Sequence, residues 1–265
     1  MRYAMCVEYD GSEFAGWQRQ THSPSVQTEV ERSLSRVANH QITVICAGRT
    51  DTGIHARGQV VHFDTGSERS DRQWMLGINS HLPASIRVVW IKAVEDDFHA
   101  RFGAFSRSYQ YRIMNRWVRP AIGHQYYGWC REWLDDKQMH EATRPLLGQH
   151  DFSAFQSAGC SAHHAVREIS EIAVRRQDDV VLVDITANAF LYHMVRNIVG
   201  SLISVGLGEK PSGWIKEVLE GRDRKLAGVM AESNGLCFMG VRYDPKYNLP
   251  ATPAAFPFSN RKRQK

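Results

Sequence analysis

The hydrophobic and polar positions of the first hundred residues alternate between two periods. Residues 2–9 are short, mixed and aromatic, which predicts a strand. A helix is expected next, with Ser23 as its cap and Pro24 at its first position. Val26, Val30, Leu34 and Val37 follow at helical spacing, with Gln27, Glu29, Glu31, Arg32 and Arg36 off that stripe. Residues 42–47 and 58–63 read as strands. Ser70 and Asp71 cap a second helix bearing Trp74, Met75, Ile78 and Leu82, and residues 86–94 form a nearly continuous apolar strand. The order β-α-β-β-α-β predicts a ferredoxin-like unit, an antiparallel sheet with helices on one face.

The remaining chain repeats this vocabulary with longer insertions. A strand is expected over 109–113, with Tyr109, Tyr111 and Ile113 on one face and Gln110 and Arg112 on the other. A helix over 135–147 follows. Strands over 166–176 and 180–188 meet at Gln177-Asp178-Asp179. A long apolar helix spans 191–206, a shorter one 211–220, and a strand over 236–243 closes the unit. The predicted class is α+β. Two ferredoxin-like halves, 1–104 and 105–245, face each other across a central cleft, and their sheets are free to join. Residues 246–265 are expected to be a flexible basic tail.

Composition changes this picture in three places. The 265 residues hold 33 Lys and Arg against 28 Asp and Glu. Five of the basic residues (Lys246, Arg261, Lys262, Arg263 and Lys265) fall in the last twenty with no acid, so the body is balanced. A nucleic-acid footprint would therefore have to come from clustering on one face. The five cysteines are odd in number and contain no C-x-x-C pair, which argues against a disulfide framework or a zinc knuckle. Cys160, His163 and His164 are a sparse set for a metal, and no metal is expected. No apolar run is long enough to span a membrane, and acids near the N-terminus leave no export signal, so a cytoplasmic address is expected. Phosphate-cradle and nucleophile-elbow motifs are also missing, so no nucleotide cofactor is expected.

Three segments carry chemistry. In Cys46-Ala47-Gly48-Arg49-Thr50-Asp51-Thr52-Gly53-Ile54-His55-Ala56, two glycines bracket a polar run between strands. Spacing alone fits a catalytic loop and a solvated, capped turn equally well. Phe98-His99-Ala100-Arg101-Phe102 and Arg107-Ser108-Tyr109-Gln110-Tyr111 interleave basic and aromatic residues, as grooves for single strands do. An ordinary strand with buried tyrosines explains the same residues. In Phe190–Gly200 an apolar stripe surrounds Arg196, and a partly buried arginine there calls for a carboxylate partner.

Together these segments resemble the tRNA pseudouridine synthase A family. The 47–56 loop is similar to the family signature, with Ile54 where Val is usual. Arg107-Ser108-Tyr109-Gln110-Tyr111, His150-Asp151-Phe152-Ser153-Ala154-Phe155 and Tyr192–Gly200 match three further blocks, in the family's order from about Tyr3 to Tyr243. The resemblance implies an isomerase that converts uridine to pseudouridine at tRNA positions 38, 39 and 40, in the anticodon arm. It implies a homodimer that needs no cofactor or metal. By matched position, Asp51 is implied as the nucleophile, Arg196 as its ion-pair partner, and Tyr109 as a stacking and proton-transfer residue. Arg49 and Arg107 are implied as substrate-binding. A non-catalytic RNA-binding protein with paired ferredoxin-like domains is the alternative. A carboxylate such as Asp51 would repel phosphate in such a protein. A hydrolase using Cys46 or Cys160 has no motif behind it.

Overall fold

The computed structural model describes residues 1–160 and 162–251. Its first half contains β1 (Arg2–Tyr9), α1 (Val26–Ala38), β2 (Ile45–Cys46), β3 (His55–Asp64), α2 (Asp71–His81) and β4 (Ile86–Val94). β1 lies between β3 and β4, antiparallel to both, and the short β2 pairs with the far side of β3. The strand order is thus β4-β1-β3-β2, and the β-α-β-β-α-β plan is the one formed.

The second half contains β5 (Ser106–Asn115), β6 (Gly128–Cys130), α3 (Asp136–Glu141), β7 (Gly148–Asp151), β8 (Val166–Gln177), β9 (Val180–Ala187), α4 (Met194–Gly206), α5 (Trp214–Gly221) and β10 (Leu236–Arg242). Its central strands run β10-β5-β9-β8, all antiparallel, with β7 beyond β8. Position by position this is the order of the first half, with β5 standing for β1, β9 for β3 and β10 for β4. The halves join because β10 also lies parallel to β3, with Cys237 opposite His55 and Phe238 opposite Ala56. One ten-stranded sheet results.

Both halves bury one sheet face under helices. Val30 and Leu34 of α1 and Trp74 and Ile78 of α2 cover Tyr3, Met5, Val61 and Phe63. Val195, Ile198 and Leu202 of α4 cover Tyr111, Val183 and Ile185. Behind β1 a smaller cluster joins Cys6, Val60 and Trp90 to Phe98 and Ala100. The end of the described chain closes that cluster. Tyr243 and Tyr247 both place their rings 5.0 Å from Phe98, Lys246 pairs with Asp97 at 2.6 Å, and Lys92 donates to the Asn248 carbonyl at 2.6 Å. Residues 246–249 are therefore docked on the body, and the rest of the expected tail, from 252, lies outside the described residues. No helix of the described residues is long and apolar enough to cross a membrane.

Three element boundaries differ from expectation for identifiable reasons. The cap of α1 is Ser25, whose hydroxyl accepts from the Thr28 N–H; Ser23 and Pro24 lie before it. Pro24 instead accepts from the Ala15 N–H, and the Val26 N–H donates to Gly16 in the same strap. The strand expected over 42–47 shrinks to β2, because the Val44 N–H is taken by the Glu31 carboxylate rather than by a ladder. The helix expected over 135–147 stops at Glu141, and a single 3₁₀ turn carries Pro145 onward, as a proline lacking its N–H requires.

Candidate active site

The bracketed loop joins β2 to β3, at the point where β3 meets β10. It is held from several sides. Ala47 donates to the Val60 carbonyl at 2.8 Å, and the Gln59 side chain donates to the Gly48 carbonyl at 2.5 Å. Thr50 is buried; its hydroxyl shares a 2.7 Å hydrogen bond with Tyr9, and its carbonyl accepts from the Trp17 N–H at 2.9 Å. Gly16, at φ +94°, packs so tightly beneath that a Cβ there would come within 2.6 Å of the Thr50 carbonyl oxygen. Gly53 is also in the left-handed region, at φ +75°. Downstream, buried His55 accepts from the Gly11 N–H through Nδ1 and meets the Gln125 carbonyl through Nε2 at 2.9 Å. Asp10, 3.1 Å from the same ring, accepts from Tyr126 at 2.7 Å. Burial works against the Asp10 carboxylate, yet its contacts with His55, Ser12 and Tyr126 outweigh it and hold its pKa well below the ordinary range.

Asp51 stands on this anchored loop, with its carboxylate 37% exposed. Burial pushes its pKa up, while the charges of His193 and Arg196 pull it down, and the net direction is upward. Tyr109 of β5 faces the same seam. Its ring stands edge-on between Phe190 and Phe238, at centroid distances of 5.0 and 4.9 Å. Burial, reinforced by the Asp51 charge, raises the Tyr109 phenol above its usual range, so it remains a neutral proton donor.

The four remaining positions of interest divide. Arg49 is exposed beside Asp51, available to a ligand. Arg101, also exposed, acts with Arg49 on Cys46, where both cations oppose the burial that pushes the thiol up to about 11. Arg107 is committed to the protein. Its guanidinium donates to the carbonyls of Ala104, Asn188, Ala47 and Arg101, tying β5 to the foot of the loop, and burial lowers its pKa. Arg196 donates through Nε to the Ala231 carbonyl at 2.8 Å and acts on Asp51 from beyond ion-pair contact. The basic side chain in contact range of Asp51 is His193, at 3.5 Å, on the residue preceding α4. In the sequence His193 falls within the expected 191–206 helix and the Tyr192–Gly200 block, and neither pattern gives it a role. Among the described residues no three His, Cys, Asp or Glu side chains gather in a way that could hold a metal ion.

A carboxylate on a pinned loop, a neutral tyrosine two strands away across β10 and an exposed arginine can together attack, stack and hold a phosphate. Residues 5–103 and 142–244 match the profile of a family described as tRNA pseudouridine synthase. The chain belongs to that family.

Two relatives in the tRNA pseudouridine synthase family are similar over almost their full length. The tRNA pseudouridine synthase A of Xylella fastidiosa (strain M23) is 53% identical over 251 residues, 94% of this chain and 98% of the relative. That of Stenotrophomonas maltophilia (strain K279a) is 54% identical over 252 residues, 95% and 98% respectively. Among solved structures, a chain of a Cbf5-Nop10-Gar1 complex aligns at 10% identity and a TM-score of 0.38. That alignment spans 89% of this chain and 57% of the other, and a score so low has no bearing on the fold. Membership in the tRNA pseudouridine synthase family makes this chain an isomerase.

Proposed function

We propose that this chain isomerises uridine to pseudouridine at positions 38, 39 and 40 of the tRNA anticodon arm, acting as a cytoplasmic homodimer. Asp51 is the nucleophile. In the reaction the bond between uracil N1 and ribose C1′ breaks, the base turns, and a new bond forms from C5 to C1′. C5 gives up its proton and N1 gains one, so neither electrons nor water are consumed. Tyr109 stacks on the flipped uracil and offers its hydroxyl for proton transfer. Arg49 holds the extruded nucleotide by its phosphate. Arg196 and Arg107 support the site: Arg196 favours the ionised form of Asp51 from a distance, and Arg107 fixes the backbone beneath the loop. An exposed apolar run at Trp117, Val118 and Ile122 supports self-association.

The observation that carries the reading is a half-exposed carboxylate, fixed on a rigid loop at the seam of two sheets and facing a neutral tyrosine. A binding protein has no use for a negative charge in that place. Incubating the purified chain with unmodified tRNA and mapping pseudouridine by position tests it. New pseudouridine at 38–40 is expected, and product confined to other positions overturns the site assignment.

A further inference from the structure

The contact between Asp51 and His193 spans the two halves. Asp51 comes from the β2–β3 loop, and His193 from the turn between β9 and α4. Three features show that His193 is held in place. Its backbone is left-handed, φ 60° and ψ 10°, a conformation costly for a residue with a full side chain. Its ring stacks on Tyr192 at 3.8 Å and 26°. Its side chain is only 14% exposed, whereas the facing carboxylate is open on one side. We propose that His193 is a positioning residue for catalysis, whose imidazole orients the Asp51 carboxylate and keeps it ionised. The proposal rests on Asp51 being the reacting carboxylate.

The charged and titratable groups facing the pair are few. Arg196 comes from α4, Tyr109 from β5 and the exposed Arg49 from the Asp51 loop itself, and Tyr192 stacks on the far side of the imidazole. Burial lowers the pKa of His193, Asp51 raises it, and Arg196 lowers it further. Burial raises that of Asp51. As pH falls, the pair takes up a proton. On His193 that proton makes an imidazolium, which favours the carboxylate and postpones its neutralisation to lower pH. Without His193 the first proton goes to Asp51 itself. Removing the imidazole should therefore move the acidic limb of the rate profile to higher pH. Arg196 and Tyr109 are present in both proteins and do not contribute to the difference.

The test is tritium release from C5-labelled tRNA between pH 5 and 9, using the full chain and His193→Asn, with Asp51→Asn as control. Asparagine tolerates the left-handed backbone, so the turn is retained. The expected result is an acidic limb displaced upward by about half a unit or more, since an opposite charge at this range commonly shifts a carboxylate by about 1–3 units. His193→Lys, which restores a cation, should bring the limb back down. A uniform loss of rate with the limb unmoved would mean that His193 serves only the fold, and overturns the proposal. Asp51→Asn active at the wild-type rate would instead overturn the reading of Asp51 and with it the proposal. A reciprocal measurement avoids substituting His193. NMR titration of its imidazole should show the pKa falling in Asp51→Asn, because the anion that raised it is gone. An unchanged imidazole pKa sinks the proposal even if His193→Asn fails to fold.

Discussion

The hairpin β2–β3 in the first half and the hairpin β8–β9 in the second occupy the same place in the same strand order. They are built differently. β8 and β9 are long and joined by a tight turn at Asp178 and Asp179, with Asp178 left-handed at φ 53°. That hairpin is mostly ladder, with eight paired positions. β2 contributes two residues, and the connection to β3 is a wide polar loop. The second half uses its hairpin to stabilise a sheet. The first half gives up ladder hydrogen bonds to present a carboxylate, and recovers rigidity through side chains from β1 and β3 and the backbone of the 10–17 segment. A shared topology does not distribute function evenly. The proposed nucleophile lies in the copy whose regular pairing is shortest.

Several substitutions would break or sharpen this contrast. Asp51→Asn should lower turnover by on the order of 10⁴-fold or more while leaving tRNA affinity within a few-fold, because the amide keeps the shape but cannot act as a nucleophile. Single-turnover assays paired with filter binding read both quantities. Gly16→Ala should cost about 2–4 kcal/mol, since it combines a left-handed backbone with a methyl driven against the Thr50 carbonyl. Denaturant unfolding measures that loss, and activity in the folded fraction should fall as well. Tyr109→Ala should weaken tRNA binding by about 1–3 kcal/mol through lost stacking. Tyr109→Phe should bind normally and lose kcat if the hydroxyl moves a proton. Tyr9→Phe removes a buried bond to Thr50 and should cost about 1 kcal/mol of stability, with a modest fall in kcat. The smallest effect is expected in the other hairpin. Asp178→Gly should change stability by less than about 1 kcal/mol and leave pseudouridine formation untouched, because its left-handed turn only needs a permissive residue. A large loss of activity in Asp178→Gly would show that the two hairpins are coupled.

Much of the architecture was legible because local signals agreed with the fold. Ser70 and Gln73 form a reciprocal cap on α2, and the apolar run 86–94 became β4 without change. The β-α-β-β-α-β order followed from such segments. The misses occur where a distant partner overrides a local pattern. Glu31 claims the Val44 N–H, so 42–44 leaves the ladder. Pro24 joins a strap to Ala15, which moves the α1 cap to Ser25. At the site, the motif residues Asp51, Tyr109 and Arg49 were visible in the sequence. Their supports were not, since Tyr9, Gly16 and Gln59 come from other segments with no spacing rule linking them. Arg107 and Arg196 read as cations seeking anions, whereas the fold gives their guanidinium groups to backbone carbonyls. The left-handed His193 sits inside a helical pattern that gives no sign of where the helix begins.

The seam strand has a consequence for how the molecule comes into being. β3 is complete at Asp64, but β10, which pairs with it, ends at Arg242. At about 5–20 residues per second, a ribosome needs on the order of ten to forty seconds to supply the ~180 residues between them. During that interval the His55 end of β3 and, once it is made, the Ser106–Tyr111 stretch of β5 each present an edge that β10 will cover. A nascent chain can fold the first half and still lack the proposed site, because Phe238, which backs Tyr109, arrives with the final strand. Edges left open that long invite pairing with a neighbouring chain. Premature termination before Leu236 would therefore leave a sticky, inactive protein rather than a weakened enzyme.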